Sequence, residues 1–177
     1  MALKATIFKA DLQIADIDRQ YYQDHSLTLA RHPSETDERM MMRLLAFARH
    51  ASPDLIFGKG VSSVEEPDLW QKDMTGAIEL WIEVGQPDER RILKACGRAS
   101  RVLIYSYGTT AQVWWRQLGS RIERLRNLEV FHVPPGASAA LAGLAERNMR
   151  LQCTLQDGQT WISGKDVTLQ IESITLK

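Results

Sequence analysis

From Leu3 to Ile14 apolar and polar positions alternate, with Thr6, Phe8 and Ala10 on one side of the chain and Ile7 and Lys9 on the other, which is the period-two signature of a strand. An aspartate-bearing turn (Asp16, Asp18) follows, and residues 26–31 alternate again through Leu27 and Leu29. Two such runs so close together predict an antiparallel pair. Pro33-Ser34 then opens a helix, with Ser34 as its N-cap. Glu35, Asp37 and Glu38 fall in its first turn, where the helix dipole favours acids. Met41, Leu44, Leu45 and Ala48 keep helical spacing to about His50, and Pro53 stops the run.

The middle of the chain changes rhythm. Residues 54–59 predict a short strand, and a polar, acidic connection leads to about Gly76. The stretch 77–84 reads as a strand between Gly76 and the Gly85/Pro87 pair, 88–99 as a helix with Asp88 and Glu89 first and bases later, and 102–107 as a strand covered on both faces. A helix over 110–118, a buried strand over 128–133 and a helix over 137–147 complete a βαβαβα succession, which predicts a largely parallel sheet with right-handed crossovers. The tail returns to period two. Residues 149–156 and 159–163 flank Asp157-Gly158, a pair suited to a type I′ hairpin turn, and 166–176 adds a third strand. These strands are expected to join the N-terminal pair, giving an α/β fold with a mixed central sheet flanked by helices and an antiparallel extension from both termini, in one domain over residues 1–177.

Composition adds bounds. The 177 residues are 44% hydrophobic and 25% charged, ordinary for a globular chain and long enough to bury a core without staples. Charge balances at 22 Lys+Arg against 22 Asp+Glu, which excludes a globally basic nucleic-acid coat and an acidic disordered tail but leaves room for a local basic patch. Cys96 and Cys153 fit no metal spacing and sit among apolar neighbours, as buried thiols do. No apolar run approaches a membrane span of about 20 residues, and no signal-peptide core opens the chain, so a cytoplasmic, reducing setting is the default expectation.

The segment that can carry chemistry is EEPDLWQKDMTGAIELWIEVGQPDERRILK, residues 65–94. Strand periodicity puts Glu79, Trp81 and Glu83 on one face. Carboxylates on a covered face need a partner or a cation. The alternative is that this face meets solvent while Leu80, Ile82 and Val84 pack inward.

The segments WIEVGQPDERRILKACGRA, LTLARHPSETDERMMMRLLAFARHA and LQCTLQDGQTWIS together resemble the YaeQ family of bacterial proteins over essentially the whole chain. The resemblance implies a compact variant of the PD-(D/E)XK nuclease fold, in which an acid on one strand and a (D/E)-x-K triplet on the next hold Mg²⁺ or Mn²⁺ and the lysine positions the attacking water. Carried onto this chain, Glu83 is the second acid, but Gly85 stands where the lysine belongs. Gln86 is the substitute if a bulge at Gly85 turns it inward, and Lys94 from the following helix is another. Glu79 and Asp73 are equal candidates for the first acid, with Asp68 of the literal Pro67-Asp68 pair behind them. Glu79 and Glu83 lie about 13 Å apart on a straight strand. Two glutamates and one ion span only about 11 Å, so that pairing needs a bend or a bridging water. Glu38, on the inward edge of the first helix, is a further metal candidate, or else a first-turn acid facing the dipole.

Arg90, Lys94 and Arg98 recur every four residues, with Arg91 beside them, as a stripe able to meet several phosphates of DNA or RNA. A second group, Arg116, Arg121, Arg124 and Arg126 around Trp114-Trp115, reads better as a solvated face over core tryptophans. His25, His32, His50 and His132 show no metal spacing. The leading expectation is a nuclease-like, possible Mg-dependent hydrolase acting on nucleic-acid phosphodiesters. The runner-up is a fold relative that has lost cleavage and serves as a nucleic-acid or protein binding module.

Overall fold

The computed structural model describes residues 4–177, so Leu3, where the first alternation begins, lies outside the described residues. In chain order the elements are β1 (Thr6–Asp16), β2 (Tyr21–Arg31), α1 (Asp37–His50), β3 (Leu55–Phe57), a 3₁₀ turn (Gly60–Ser62), β4 (Leu69–Lys72), β5 (Ile78–Val84) and α2 (Glu89–Arg98). There follow β6 (Ala99–Tyr107), α3 (Ala111–Ile122), β7 (Leu128–Val133), α4 (Pro135–Ala142), β8 (Asn148–Gln156), β9 (Gln159–Gly164), β10 (Val167–Ile171) and β11 (Ile174–Thr175). The strands form two sheets rather than one extended sheet, and the chain divides into two compact units, one running to His50 and resuming over Gly136–Glu172, the other comprising Ala51–Pro135 and Ser173–Lys177.

In the first unit the strand order is β10-β9-β8-β1-β2. The expected N-terminal hairpin is present, with Thr6 opposite Arg31 and Asp16 opposite Tyr21. The tail strands do join it, but β8 meets β1 in parallel. Strand β1 buries Phe8, Ala10, Leu12 and Ile14 on one face, as its alternation required. Asp157 and Gly158 both have positive φ (52° and 76°), the type I′ geometry expected of that pair. Asp18 at the opposite hairpin accepts from both of their N–H groups at 2.8 and 2.9 Å, which holds its carboxyl below the usual range.

Helix α1 begins later than its sequence suggests. Ser34 does not cap it; Thr36 Oγ1 accepts from Arg39 N at 3.1 Å instead. This frees Glu35 to sit before the helix, where its buried carboxylate is held by Arg43 through Nε and an Nη donor at 2.8 Å each and by Arg39 at 2.9 Å. Every residue from Met40 to Ala48 is buried, Arg43 included. Helix α4 is shorter than expected because the chain beyond Ala142 makes single i→i+3 turns through Leu144 and Ala145.

In the second unit the order is β11-β7-β6-β5-β4-β3. Strands β5, β6 and β7 are parallel and linked through α2 and α3, the βαβαβ core that the succession predicted. Ile78, Trp81, Val102, Ile104, Leu118 and Ile122 lie in its hydrophobic core. Two features depart from expectation. The acidic connection contains a real strand, β4, too short and too polar to show period two, and it pairs antiparallel with both β3 and β5. The last predicted strand, 166–176, splits: β10 pairs with β9, while β11 adds antiparallel to β7. Among the described residues there are four α-helices, and none is long and apolar enough to cross a membrane. Both cysteines are free. Cys153 is buried, its thiol pushed up to about 12; Cys96 is only half-buried, against expectation, yet burial still raises it to about 11.

The Glu35–Arg43 pair yields a stability test. Arg43→Ala leaves the buried Glu35 carboxylate with Arg39 as its remaining cation and is expected to cost about 3 kcal/mol in urea unfolding. Replacing both partners together (Glu35→Leu with Arg43→Met) is expected to recover most of that loss. A double variant no more stable than Arg43→Ala would show that the guanidinium's contact with Ala30 O, 3.1 Å away, matters more than the ion pair.

Candidate functional site

The site is built where β4 meets β5. Leu69 pairs with Ile82, and continuing that register one residue beyond the ladder sets Asp68 beside Glu83, whose carboxyl senses the Asp68 charge. Cross-strand neighbours share a face, so the two carboxylates come together. Both are buried, Asp68 fully and Glu83 at 3% exposure. Asp68 N donates to Ile82 O at 3.1 Å, and Asp68 Oδ2 accepts from Val84 N at 2.7 Å, so the side chain takes the place of the next backbone acceptor in the ladder. The loop before β4 closes on this residue: Gly58 N donates to Asp68 O, Gly60 N donates to Pro67 O, and a Cβ on Gly60 would come within 2.5 Å of Asp68 Oδ1. Gly60 also has φ +49°, so both space and backbone exclude a side chain there.

Glu83 is held from two sides. Trp81 Nε1 donates to its Oε1 at 2.8 Å, as the i, i+2 spacing of one strand face allows, and Arg91 Nε donates to the same oxygen at 2.9 Å. Arg91 is positioned because Asp88 caps α2 by accepting from the Arg91 N–H at 2.8 Å. Burial, and then the charge of Asp68, push the Glu83 carboxyl above its ordinary value of 4.5, while Arg91 and Trp81 pull it down.

The other expected site residues go elsewhere. Glu79 is the extra residue where β5 bulges against β4, since Gln71 pairs with Leu80 but Lys72 with Ile78. It is exposed, and its carboxylate accepts from Gln71 Nε2 at 2.9 Å, so the face shared with Glu83 is lost at the bulge. Asp73 is an exposed turn residue whose Oδ1 accepts from Thr75 N, Thr75 Oγ1 and Ala77 N, bonds that hold its carboxyl below the usual range. Asp68, ranked behind both in the sequence, is the acid beside Glu83. Gln86 does not turn inward: it is exposed, and its amide bonds Thr110 Oγ1 at 2.8 Å and Tyr107 O at 3.4 Å. Gly85 has φ +109°, which a lysine side chain at that position would find strained. Lys94 reaches Glu65 at 2.6 Å rather than Glu83. The cation beside Glu83 is therefore Arg91, expected only as part of the phosphate stripe. Glu38 belongs to the first unit, where Ser138 Oγ donates to it at 2.5 Å.

The basic stripe is real but engaged. Arg91 donates to Ser63 O (3.4 Å) and Glu66 O (3.0 Å), Lys94 to Val64 O (3.3 Å), and Arg98 to Glu65 O (3.2 Å). Arg90 on the same helix is exposed. Arg98 also lies over the Trp81 ring at 5.4 Å, and Trp81 meets Trp70 edge-on. Trp114 and Trp115 pack against the core, Trp114 Nε1 donating to Pro87 O, while Arg116, Arg121, Arg124 and Arg126 are exposed, as the bland reading of that group required. Among the described residues, no three His, Cys, Asp or Glu side chains group as a metal cage.

The chain belongs to the YaeQ family: the family described as "YaeQ protein" matches residues 1–173. It is 49% identical over 173 residues to "Uncharacterized protein YaeQ" of Salmonella typhi, covering 97% of this chain and 96% of that one. The Escherichia coli K12 protein of the same name is 46% identical over 172 residues, 97% of this chain and 95% of its own. The crystal structure of YaeQ from Xanthomonas axonopodis pv. citri matches with TM-score 0.93 at 45% identity over 98% of both chains. That from Pseudomonas syringae matches with TM-score 0.94 at 34% identity over 98% of this chain and 96% of that one. The mixed α/β architecture with two sheets is thus that of solved YaeQ structures.

The raised Glu83 carboxyl has a thermodynamic consequence. The folded protein binds this proton more tightly than the unfolded chain, so the group's contribution to stability is largest below 4.5 and declines as pH rises through the raised folded value. Glu83→Gln removes that dependence. Thermal unfolding of the two proteins across this window is expected to shift in the variant's favour as pH rises. A difference that stays flat with pH would contradict the assignment.

Proposed function

We propose that this chain is a nuclease-like protein of the PD-(D/E)XK type that engages nucleic-acid phosphodiesters, with Asp68 and Glu83 as the two motif acids. The observation that carries the reading is the juxtaposition itself: two buried carboxylates, one immediately before β4 and following a proline, the other on β5 and opening Glu83-Val84-Gly85, with a helix of cations directly after them. Buried like charges are costly, and a cation relieves the repulsion.

The donor set suits Mg²⁺ or Mn²⁺. Two carboxylates offer the hard oxygen ligands that such an ion takes while it keeps several waters, so a third protein acid is not required. Asp68 and Glu83 would hold it, and it would supply Lewis-acid stabilisation of charge on a phosphoryl group. The chain's own residues do the rest. Arg91 and Trp81 fix the Glu83 carboxylate, the Val84 N–H fixes that of Asp68, and Arg90, Lys94 and Arg98 supply phosphate contacts on one helix.

A second reading has its own observation. Gly85 replaces the motif lysine, and the guanidinium that stands beside Glu83 stays charged at any physiological pH, so it cannot act as a proton carrier. This favours a relative that binds nucleic acid or protein without cutting.

Titration with Mn²⁺ followed by calorimetry, beside cleavage assays on single- and double-stranded DNA and RNA, separates the two. The nuclease reading expects one Mn²⁺ site, lost in Asp68→Asn and in Glu83→Gln, and cleavage lost with it. Oligonucleotide binding without metal or cleavage would transfer the protein to the second reading. Cleavage that survives both substitutions would remove the acid pair from the chemistry.

A further inference from the structure

The segment between the 3₁₀ turn and β4 lies across the basic face of α2. Over four consecutive residues it offers that face only acceptors: the carbonyl oxygens of Ser63, Val64, Glu65 and Glu66, and the Glu65 carboxylate. Glu65 pairs with Lys94 at 2.6 Å and with Arg98 at 3.5 Å, and the Lys94 contact holds its carboxyl below the ordinary range. A row of oxygen acceptors with a negative charge, matched to cations on successive helical turns, is what a nucleic-acid backbone also presents.

The segment is held by charge and hydrogen bonds, with little apolar burial. Val64 is 73% exposed and the Glu65 side chain 65% exposed, so its largest apolar group contributes almost nothing to docking. Exposed ion pairs of this kind are weak and salt-screened. Release therefore costs little, and Arg91 stays in place through Glu83 when the segment leaves.

We propose that residues 63–66 are a built-in competitor: Glu65 and its neighbouring carbonyls occupy Arg91, Lys94 and Arg98, and a polyanion reaches the stripe by displacing them. This rests on the phosphate-contacting role of α2 proposed above, and it adds that the native chain masks its own binding surface.

The test is equilibrium binding of a fluorescein-labelled oligodeoxythymidine of about twenty nucleotides at low and moderate salt. Glu65→Gln is expected to tighten binding by about three- to tenfold and to steepen the salt dependence by about one to two released ions, as two unmasked cations require. In a Lys94→Gln background the gain from Glu65→Gln largely disappears, because the main contact being relieved is gone. Glu123→Gln, the same charge change at another exposed position of this unit, leaves affinity near that of the native chain. Equal gains with and without Lys94, or no gain while the native chain binds, would overturn the competitor and leave the stripe standing. Absence of binding by both the native chain and Glu65→Gln would overturn the stripe and the competitor together.

Discussion

Two carboxylates buried side by side are the constraint around which the second unit is organised. Asp68 is fully buried and Glu83 nearly so, and the charge of Asp68 raises the cost of ionising Glu83. The surrounding bonds meet only part of that cost: a backbone N–H on Asp68 Oδ2, an indole N–H and a guanidinium on Glu83, while the buried Asp68 Oδ1 has no hydrogen-bond partner among the described residues. A hydrophobic pair of similar volume would pack here at less cost. The acids are a stability burden that a site would explain.

The local sequence serves this arrangement at several points. Gly58 and Gly60 let the preceding loop press onto Pro67-Asp68 where a Cβ would collide. Gly85 ends β5 in a conformation open to glycine, which turns the chain toward Asp88, the cap of α2. Starting there, α2 delivers Arg91 to Glu83 about one turn in, and Lys94 and Arg98 to the segment 63–66 on the turns that follow. One helix thus closes the acid pair and presents the cations. The zero net charge of the chain conceals this, because Glu83 and Glu65 are paired with Arg91, Lys94 and Arg98.

Much of the fold was legible in the sequence because periodicity reports burial directly. Strand β7 and the type I′ hairpin fell where the pattern put them, and the parallel core followed from element order alone. What escaped was local. Strand β4 is four residues with alternation too short to register, and without it the partner of β5 was unknown. That omission hid the acid beside Glu83: a bulge exposes Glu79 and a turn occupies Asp73, whereas only the β4–β5 register sets Asp68 beside Glu83. The literal Pro67-Asp68 was the available signal. Arg91 escaped for a different reason, since a residue seen as a phosphate contact gives no sign that it faces inward to a carboxylate. A single sheet was expected because nothing in strand periodicity tells which sheet a strand joins.

The central claim is that Asp68 and Glu83 share one electrostatic environment, and a carboxyl titration reads it most directly. With glutamate side-chain carboxyls labelled with ¹³C, Glu83 is expected to titrate above its ordinary 4.5 in the native chain, and closer to that value in Asp68→Asn. An identical Glu83 titration in the two proteins would contradict the account, because the acids would then not sense one another.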